Sequence, residues 1–436
     1  MYRELSNLLM YGSLDEDSIL YKVGEITREY EAGNYDETDL KRKIKEQLKR
    51  LLALATEYGF DKNLWHNYIA FFVMTNENPF SLTCEKNKIT KGTVTQIVQE
   101  DFSTIRRIFF YDFSEMEKDL GINSFSLISN YQAVEKNKSI YNWNVSNKVQ
   151  KLSIELEEAE DDKEFYERII EFYSAYGVGL FGLNKAFRIE ENPLGGISFN
   201  AINNMDQVVL DDLVGYELQK KALVENTEAF VKGCKANNVL LYGDSGTGKS
   251  TSIKAIVNQY YDSGLRMIEI YKHQFKHLAS IISTIKNRNY KFIIYMDDLS
   301  FEENEIEYKF LKAVIEGGVE TKPDNILIYA TSNRRHLIKE SWNDKDDHTN
   351  QDDIHHSDTV EEKLSLVHRF GVTIGYSKPM PKEYFNIVLT LAKRAGIEMD
   401  EEELKLEANR WEMSHGGISG RTAQQFINHL MYQQSK

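Results

Sequence analysis

The chain has 436 residues, of which 41% are hydrophobic and 28% are charged, and it contains only 5 prolines. This composition is typical of a folded globular protein and excludes wholesale disorder, collagen-like repeats and low-complexity chains. The formal net charge is −15, so the chain has no overall excess of the basic residues that bind nucleic-acid backbones. Composition therefore argues against stable nucleic-acid binding, and the length allows about two or three domains.

Cysteines and apolar runs indicate the cellular environment. Cys84 and Cys234 have no metal-ligand spacing around them, which predicts two buried thiols rather than a disulfide framework or a zinc site. No apolar stretch typical of a secretory signal follows Met1, and the longest strongly apolar run, residues 68–74, is too short to cross a bilayer. We therefore expect a cytoplasmic protein with no membrane partner.

The first half of the chain has the pattern of helices. Apolar residues recur at spacings of three and four between charged faces, for example Leu40, Ile44, Leu48 and Leu51, as in amphipathic helices packed on a core. Aromatic residues here lack basic neighbours, which favours core packing over base stacking. With no chemical motif visible, residues 1–195 are expected to form an α-helical domain that binds a partner or client protein.

A change of pattern near residues 190–205 marks a domain boundary, because acidic residues, proline and glycine cluster there. Beyond it, short apolar runs alternate with stretches long enough for helices, which is typical of a parallel sheet with crossover helices. After Pro381 the apolar spacing is helical again. The sequence therefore predicts an α/β core over residues 205–378 and a small helical domain over residues 379–436. The predicted strands are 239–242, 267–271, 292–296, 326–329 and 372–376.

Residues 243–250 fit the pattern G-x-x-x-x-G-K-[ST] and directly follow the predicted strand 239–242. Glycines let the backbone bend so that consecutive N–H groups and the start of the next helix face an anion such as the β-phosphate of a nucleotide. Lys249 is expected to neutralise β- and γ-phosphate oxygens, and the Ser250 hydroxyl to bind Mg²⁺. The glycines are Gly243, Gly246 and Gly248.

Polar residues follow two further predicted strands. Asp297 and Asp298 come directly after the strand 292–296, so Asp297 is the candidate magnesium partner and Asp298 the candidate to polarise the attacking water. Asn333 follows the strand 326–329 at a sheet edge where open α/β folds bind ligands, and it is the candidate to orient that water. Arg421 lies near the start of the last predicted helix, where an anionic ligand would offset an otherwise unfavourable positive charge.

The order of these motifs resembles that of the AAA+ ATPases, over about residue 207 to the end. The segments 297–303 and 330–337 look like a bacterial group of ATP-binding proteins that combine a helical N-terminal region with a single AAA+ module. The resemblance implies an α/β P-loop NTPase (AAA+) fold with a parallel sheet core and a helical C-terminal lid, preceded by a mostly α-helical N-terminal domain. The matching motifs are the phosphate loop, the acidic strand, Thr331-Ser332-Asn333, His368-Arg369-Phe370-Gly371 and Ser419-Gly420-Arg421.

The resemblance also implies roles for single residues. Val214 and Gly215 match the segment that contacts adenine, Asn333 matches sensor 1 and Arg421 matches sensor 2. ATP and Mg²⁺ are the implied cofactors, and the metal would lie on Ser250 and Asp297. The implied nucleotide-binding residues are Val214, Gly215, Gly243, Asp244, Ser245, Gly246, Thr247, Gly248, Lys249, Ser250, Thr251 and Arg421.

Arg369 resembles the arginine finger that one subunit offers to the nucleotide of its neighbour, with Arg334 and Arg335 as alternatives. A finger acting in trans implies a ring or open-ring oligomer, commonly of six subunits. The family also implies an ATPase that remodels a protein client, whose identity the sequence leaves open.

One departure from the family favours a second function. Two aspartates, 297 and 298, stand where most AAA+ motors carry Asp-Glu, and the shorter side chain predicts slow hydrolysis. Two aspartates also occur in the initiator and helicase-loader branch, so the alternative is a nucleotide-gated loader or scaffold on nucleic acid. Glu302 or Glu303 could assist the water, although a solvated helix start is favoured.

Residues 342–356 raise the question of a metal site, because they contain His348, His355 and His356 among many Asp and Asn residues. The three histidines lack the i, i+4 spacing of a helical site and are surrounded by solvating acids. We therefore expect a polar insert rather than a metal centre.

Overall fold

A computed structural model describes residues 1–86, 92–133, 142–192, 196–203, 205–301, 305, 307–316, 323–333, 367 and 369–434. The chain divides into two compact units, Met1–Asn184 and Lys185–Lys436. Within the ranges described, no helix is both long enough and apolar enough to span a bilayer.

The first unit is helical, as predicted. Helix α3 shows why: the side chain of Asp36 accepts a hydrogen bond from the N–H of Asp39 at its start, and Gly59 ends it with a φ of 64°. Between these ends, Leu40, Ile44 and other apolar residues of one face are buried in the core. The helices are α1 (Tyr2–Leu5), α2 (Ile19–Glu31), α3 (Glu37–Tyr58), α4 (Leu64–Thr75), α5 (Pro79–Lys86), α6 (Thr93–Phe109), α7 (Ser114–Leu120), α8 (Ser124–Ser129), α9 (Trp143–Glu157), α10 (Asp162–Tyr176) and α11 (Gly179–Leu183).

The second unit contains a seven-stranded sheet in the order β2-β1-β4-β5-β6-β3-β7. β1 and β2 are antiparallel, and the other paired strands are parallel. The central strands are apolar on both faces, as expected where helices cover a parallel sheet. The strands are β1 (Ala186–Glu191), β2 (Ile197–Ala201), β3 (Val239–Gly243), β4 (Leu265–Glu269), β5 (Lys291–Met296), β6 (Ile326–Ser332) and β7 (Val372–Tyr376).

Strands β1 and β2 correct the prediction that residues 1–195 form a helical domain and that a domain boundary lies near residues 190–205. β1 joins the sheet through Phe187, which lies opposite Ile268 of β4. Phe187 and Ile189 are buried whereas Arg188 between them is exposed, which is the alternation of a half-buried strand. β1 and β2 therefore form one hairpin, and the acidic and glycine-rich segment near residue 190 does not separate two domains.

Helices complete the second unit. The last three form the predicted helical lid around a separate core that includes Tyr384, Leu404 and Phe426. The helices are α12 (Glu217–Val231), α13 (Lys249–Tyr260), α14 (Leu278–Ile285), α15 (Glu307–Glu316), α16 (Pro381–Arg394), α17 (Glu401–Ser414) and α18 (Gly420–Gln434). Of the helices outside the lid, α12 and α13 pack on the sheet, whereas α14 and α15 pack on each other and on a 3-10 turn at Lys272–His277. Another 3-10 turn lies at Leu210–Asp212.

The two cysteines differ in their surroundings. Cys84 is buried in the core of the first unit, whereas Cys234 is exposed. The prediction of two buried thiols is therefore wrong for Cys234, because this residue lies in the turn just beyond the end of α12.

Strand register brings the predicted motifs together. Tyr242 of β3 lies opposite Ser332 of β6, and Met296 of β5 lies opposite Ala330. The carboxyl ends of these parallel strands therefore meet at one edge of the sheet, where ligands of open α/β folds bind. The predicted fold class, a parallel α/β core with a helical C-terminal lid preceded by a helical N-terminal region, is confirmed.

Candidate functional site

The phosphate loop leaves β3 at Gly243 and enters α13 at Lys249. The φ angles of Gly243, Gly246 and Gly248 are 130°, 77° and 91°, and residues other than glycine rarely adopt such values. At Gly248 a Cβ would also lie 2.2 Å from Cδ1 of Leu213. The loop can therefore bend tightly before α13, whose N-terminal N–H groups favour an anion.

Lys249 is a buried cation at the start of α13. Its Nζ donates to the backbone oxygens of Gly243 at 2.8 Å and Asp244 at 2.7 Å, and to Oδ1 of Asn333 at 3.1 Å. Burial lowers the pKa of Lys249, while the neighbouring acids, Asp298 foremost, act in the opposite direction. The side chain is thus held beside both strand ends that carry the predicted catalytic groups.

Asp297 receives three hydroxyl hydrogen bonds on one carboxylate oxygen. Ser250, Tyr295 and Thr331 donate to its Oδ1 at 2.8, 2.7 and 2.6 Å. Burial alone would raise the pKa of Asp297, but the hydrogen bonds from these residues outweigh it and lower the pKa. The carboxylate therefore stays ionised and fixed in orientation next to Ser250.

Asp298 has an unusual backbone for a non-glycine residue, with a φ of 50°. Its N–H donates to Oγ1 of Thr331 at 2.9 Å, and its Oδ1 accepts from Nδ2 of Asn333 at 2.7 Å. Asn333 therefore joins Lys249 to Asp298 through the two ends of its amide. Backbone strain of this kind persists where surrounding contacts enforce it, which is common at functional sites.

These groups face a cleft of about 710 Å³ between the α/β core and the lid. The phosphate loop, the strand ends, α16 and the first turns of α18 contribute to its lining. The predicted site residues that line it are Val214, Ser245, Gly246, Thr247, Gly248, Lys249, Ser250, Thr251, Asp297, Asp298, Asn333 and Arg421.

The segment before α12 forms the apolar end of the cleft. Val214 packs partly buried against the core of the lid, and Leu213, Ile387 and Leu391 line the cleft beside it. Arg394 of α16 holds this segment by donating to the backbone oxygen of Asp211 at 2.7 Å. An apolar wall of this kind suits the flat face of a base.

Two contacts attach the phosphate loop to the lid. The N–H of Arg421 donates to the backbone oxygen of Gly246 at 3.2 Å. The carboxylate of Asp244 accepts from the N–H of Lys378, in the connection between β7 and α16, at 2.9 Å. The exposed Arg421 side chain, which lines the cleft, thus starts from a backbone fixed to the loop.

Some predicted residues lie elsewhere. Gly215, Gly243, Asp244 and Arg369 are described but are not part of the cleft wall, and Arg369 is half-buried just before β7. Gly243 and Asp244 nevertheless accept hydrogen bonds from Lys249. Predicted residues that lie outside the described part of the chain are Glu302, Glu303, Arg334, Arg335, His348, His355 and His356.

The structure adds residues that the sequence argument did not single out. Tyr295 and Thr331 contact Asp297, and Gln424 and Gln425 of α18 line the cleft beside Arg421. Tyr295 stands two positions before Asp297, a spacing that places both on one strand face, and this signal was present in the sequence.

The donor set fits Mg²⁺ in a nucleotide complex. Ser250 and Asp297 supply hard oxygen donors within hydrogen-bond distance of each other, and magnesium bound with nucleotide uses one or two protein groups plus phosphate oxygens. In the described ranges, no group of three or more His, Cys, Asp and Glu residues could hold a metal ion by itself. The arrangement therefore suits a metal that arrives with phosphates.

The parallel sheet, the glycine-rich loop before Lys249, the acidic strand end and the helical lid together define the P-loop NTPase fold of the AAA+ class. Residues 183–434 match the model of one protein family over more than half of the chain. The chain belongs to this family, which is described as "Protein of unknown function (DUF815)".

Comparisons with individual proteins are more limited. The replication factor C large subunit of Methanococcus vannielii is 43% identical over 51 residues, which are 12% of this chain and 10% of that protein. A mutant RuvB structure from Thermotoga maritima is similar at 18% identity and a TM-score of 0.35, over 50% of this chain and 64% of that chain. A second, described as the RuvB Holliday junction branch migration motor, has 15% identity and a TM-score of 0.32, over 51% and 71%. The chain thus spans a tenth of the curated relative that it matches and less than two thirds of the first of these RuvB structures.

Proposed function

We propose that this protein binds ATP with Mg²⁺, hydrolyses it, and couples the nucleotide state to remodelling of a protein partner. The observation that carries the proposal is the convergence of Lys249, Asp297, Asp298, Asn333 and Arg421 on the lining of one cleft. A buried lysine, two acids and an amide around one glycine-rich loop are the parts that phosphoryl transfer requires.

Each residue has a separate task in this mechanism. Lys249 and the loop N–H groups bind the β- and γ-phosphates, and Asn333 and Asp298 orient and polarise the attacking water. Ser250 and Asp297 would hold Mg²⁺, which when bound neutralises charge on the phosphate oxygens. Because Asp298 is one methylene shorter than the usual glutamate, we expect a slow basal rate.

The remaining parts of the proposal concern assembly and partners. Arg369 serves as the finger for a neighbouring subunit in a ring or open ring, commonly of six subunits, and Arg421 closes the lid on the γ-phosphate. The helical first unit, Met1–Asn184, comprises the partner-binding region, and the protein acts in the cytoplasm. These assignments are supported by the AAA+ fold and by the position of Arg421, which lines the cleft and whose N–H donates to the loop at Gly246.

Two specific observations favour a second function. The 51-residue similarity to a replication factor C large subunit, together with Asp297 and Asp298, favours a nucleotide-gated loader or scaffold on nucleic acid. The net charge of −15 speaks against it.

Steady-state ATP hydrolysis against protein concentration tests the proposal, with Asp298→Asn as the control and with single-stranded and duplex DNA added at two salt concentrations. A rate per subunit that rises with concentration, ignores DNA and disappears in Asp298→Asn supports an oligomeric ATPase with a protein client. A rate that DNA raises at low salt favours the loader instead, since phosphate contacts weaken with salt. No ATP binding at any concentration would contradict both.

A further inference from the structure

A buried tyrosine supports the metal-binding carboxylate from inside the sheet. Tyr295 is 1% exposed on β5. Its hydroxyl donates to Oδ1 of Asp297 at 2.7 Å. A tyrosine that only filled the core would need no acid as its hydrogen-bond partner, so this contact requires an explanation.

Thr331 of the neighbouring strand β6 supports the same carboxylate. Its hydroxyl donates to Oδ1 of Asp297 at 2.6 Å and accepts from the N–H of Asp298 at 2.9 Å. Thr331 is also 1% exposed. One threonine thus fixes the side chain of the first acid and the backbone of the second.

Ser250 reaches Oδ1 of Asp297 from the cleft side, because it lines the cleft. A hydroxyl that donates its hydrogen to a carboxylate keeps its oxygen lone pairs for another partner, such as a cation. The direction of the Ser250 hydrogen bond therefore depends on where Tyr295 and Thr331 hold the carboxylate.

We propose that Tyr295 and Thr331 are positioning residues that fix the Asp297 carboxylate, and through it the Ser250 hydroxyl, for binding the Mg²⁺ of a magnesium nucleotide. The inference rests on the proposed function. Outer partners of metal ligands orient those ligands and contribute to metal affinity.

The test is the gain in affinity for a fluorescent ATP analogue on going from EDTA to saturating Mg²⁺, measured on the full chain. Tyr295→Phe is expected to reduce this gain about tenfold. Its affinity in EDTA should stay within about twofold of wild type, because Tyr295 does not line the cleft. If Tyr295 had a purely structural role, Tyr295→Phe would leave the ratio of the nucleotide affinities in Mg²⁺ and in EDTA unchanged.

Tyr329→Phe is the matched control. Tyr329 is an equally buried tyrosine on β6, and its hydroxyl bonds to Thr227 and Asn226 instead of to a site residue. Both variants lose one buried hydroxyl, so their melting temperatures should fall by comparable amounts, whereas only Tyr295→Phe should lose the magnesium gain.

Thr331 gives a second test that does not depend on the folding of Tyr295→Phe. Thr331→Val keeps the shape and removes both hydrogen bonds, and we expect it to reduce the gain, while Thr331→Ser keeps the hydroxyl and should preserve it. If wild type shows a magnesium gain that Tyr295→Phe and Thr331→Val retain, this inference alone is overturned. If wild type binds no nucleotide, the proposed function is overturned and the inference with it.

Discussion

At the scale of single residues, we expect Lys249 to be needed for nucleotide binding, the step that precedes hydrolysis. Its buried charge is balanced by loop oxygens and Asn333, so Lys249→Ala should weaken ATP binding by about 100-fold. Equilibrium titration with a fluorescent nucleotide measures this. The matched control is Lys254→Ala, on the same helix, where a partly exposed lysine pairs with Asp206 at 2.7 Å. Equal losses in both variants would contradict the assignment.

Asp298 should affect only the chemical step. Asn can keep the contact with Asn333 and the backbone bond to Thr331, so the fold of the strand end is retained in Asp298→Asn. Loss of the base should reduce steady-state hydrolysis by about 100-fold or more, while ATP binding is unchanged. Full turnover in this variant would remove Asp298 from the mechanism.

The hydroxyl contacts of Asp297 predict a pH dependence of stability. Its pKa lies below the usual value, so its stabilising contribution is complete above the unfolded-state pKa of about 4 and is lost as pH falls through the lower folded-state pKa. Wild type should therefore be more stable than Asp297→Asn by a constant amount from about pH 7 to 5, and the difference should shrink below about pH 4. Urea unfolding across this range measures it, and a difference that persists into acid would refute the account.

At the scale of single elements, the junction of β3 with the phosphate loop tolerates only glycine. Gly243 has a φ of 130°, and a Cβ there would lie 1.9 Å from the backbone oxygen of Tyr376 on β7. Gly243→Ala should reduce the free energy of unfolding by about 3 kcal/mol or more, because strain and a backbone clash add.

Gly264→Ala is the control for that substitution. Gly264 has a φ of 91° but open space around the added carbon, so it should cost only the conformational strain of about 1–2 kcal/mol. Thermal or urea unfolding of both variants gives the comparison. Equal losses would mean that the contact with Tyr376 does not constrain the loop.

The core elements were predictable because their signals are local. The phosphate loop follows its strand directly, and Lys249, Asp297 and Asn333 follow strand ends that a parallel sheet must bring to one edge. The sequence argument missed β1 and β2 because a glycine-rich segment is equally typical of a hairpin turn and of a boundary between domains. The roles of Tyr295 and Thr331 depend on which strands are neighbours, and the sequence alone does not state the order β5-β6-β3.

For the whole molecule, the division after Asn184 has a direct consequence for fragments. A fragment of residues 185–436 keeps β1 and β2 on the sheet and should fold and bind ATP. A fragment of residues 205–436 leaves the edge of β4 unpaired, and exposed strand edges promote aggregation. Size-exclusion chromatography and nucleotide titration distinguish the two, and equal behaviour would show that the hairpin is dispensable.

Subunit mixing tests the trans finger. Arg369→Ala should bind ATP but not hydrolyse it, because its neighbour's site lacks the finger. Mixing it with Asp298→Asn protein should restore activity at about a quarter of the interfaces, since random assembly pairs an intact site with an intact finger that often. If the mixture stays inactive although native mass spectrometry shows mixed oligomers, Arg369 is not the finger.

The phosphate loop is attached to the lid at two places, through Arg421 at the last helix and through Asp244 at the connection after β7. A bound nucleotide that changes the conformation of the loop would therefore act at both contacts at once. Any force on the lid would reach the loop through the same two hydrogen bonds. Thermodynamic linkage makes such coupling reciprocal. A subunit or client that holds the lid in one orientation must therefore change the affinity of the site for ATP by some factor. ATP must change the affinity for that subunit or client by the same factor. The lid would then report an applied force to the nucleotide site as well as transmit motion from it.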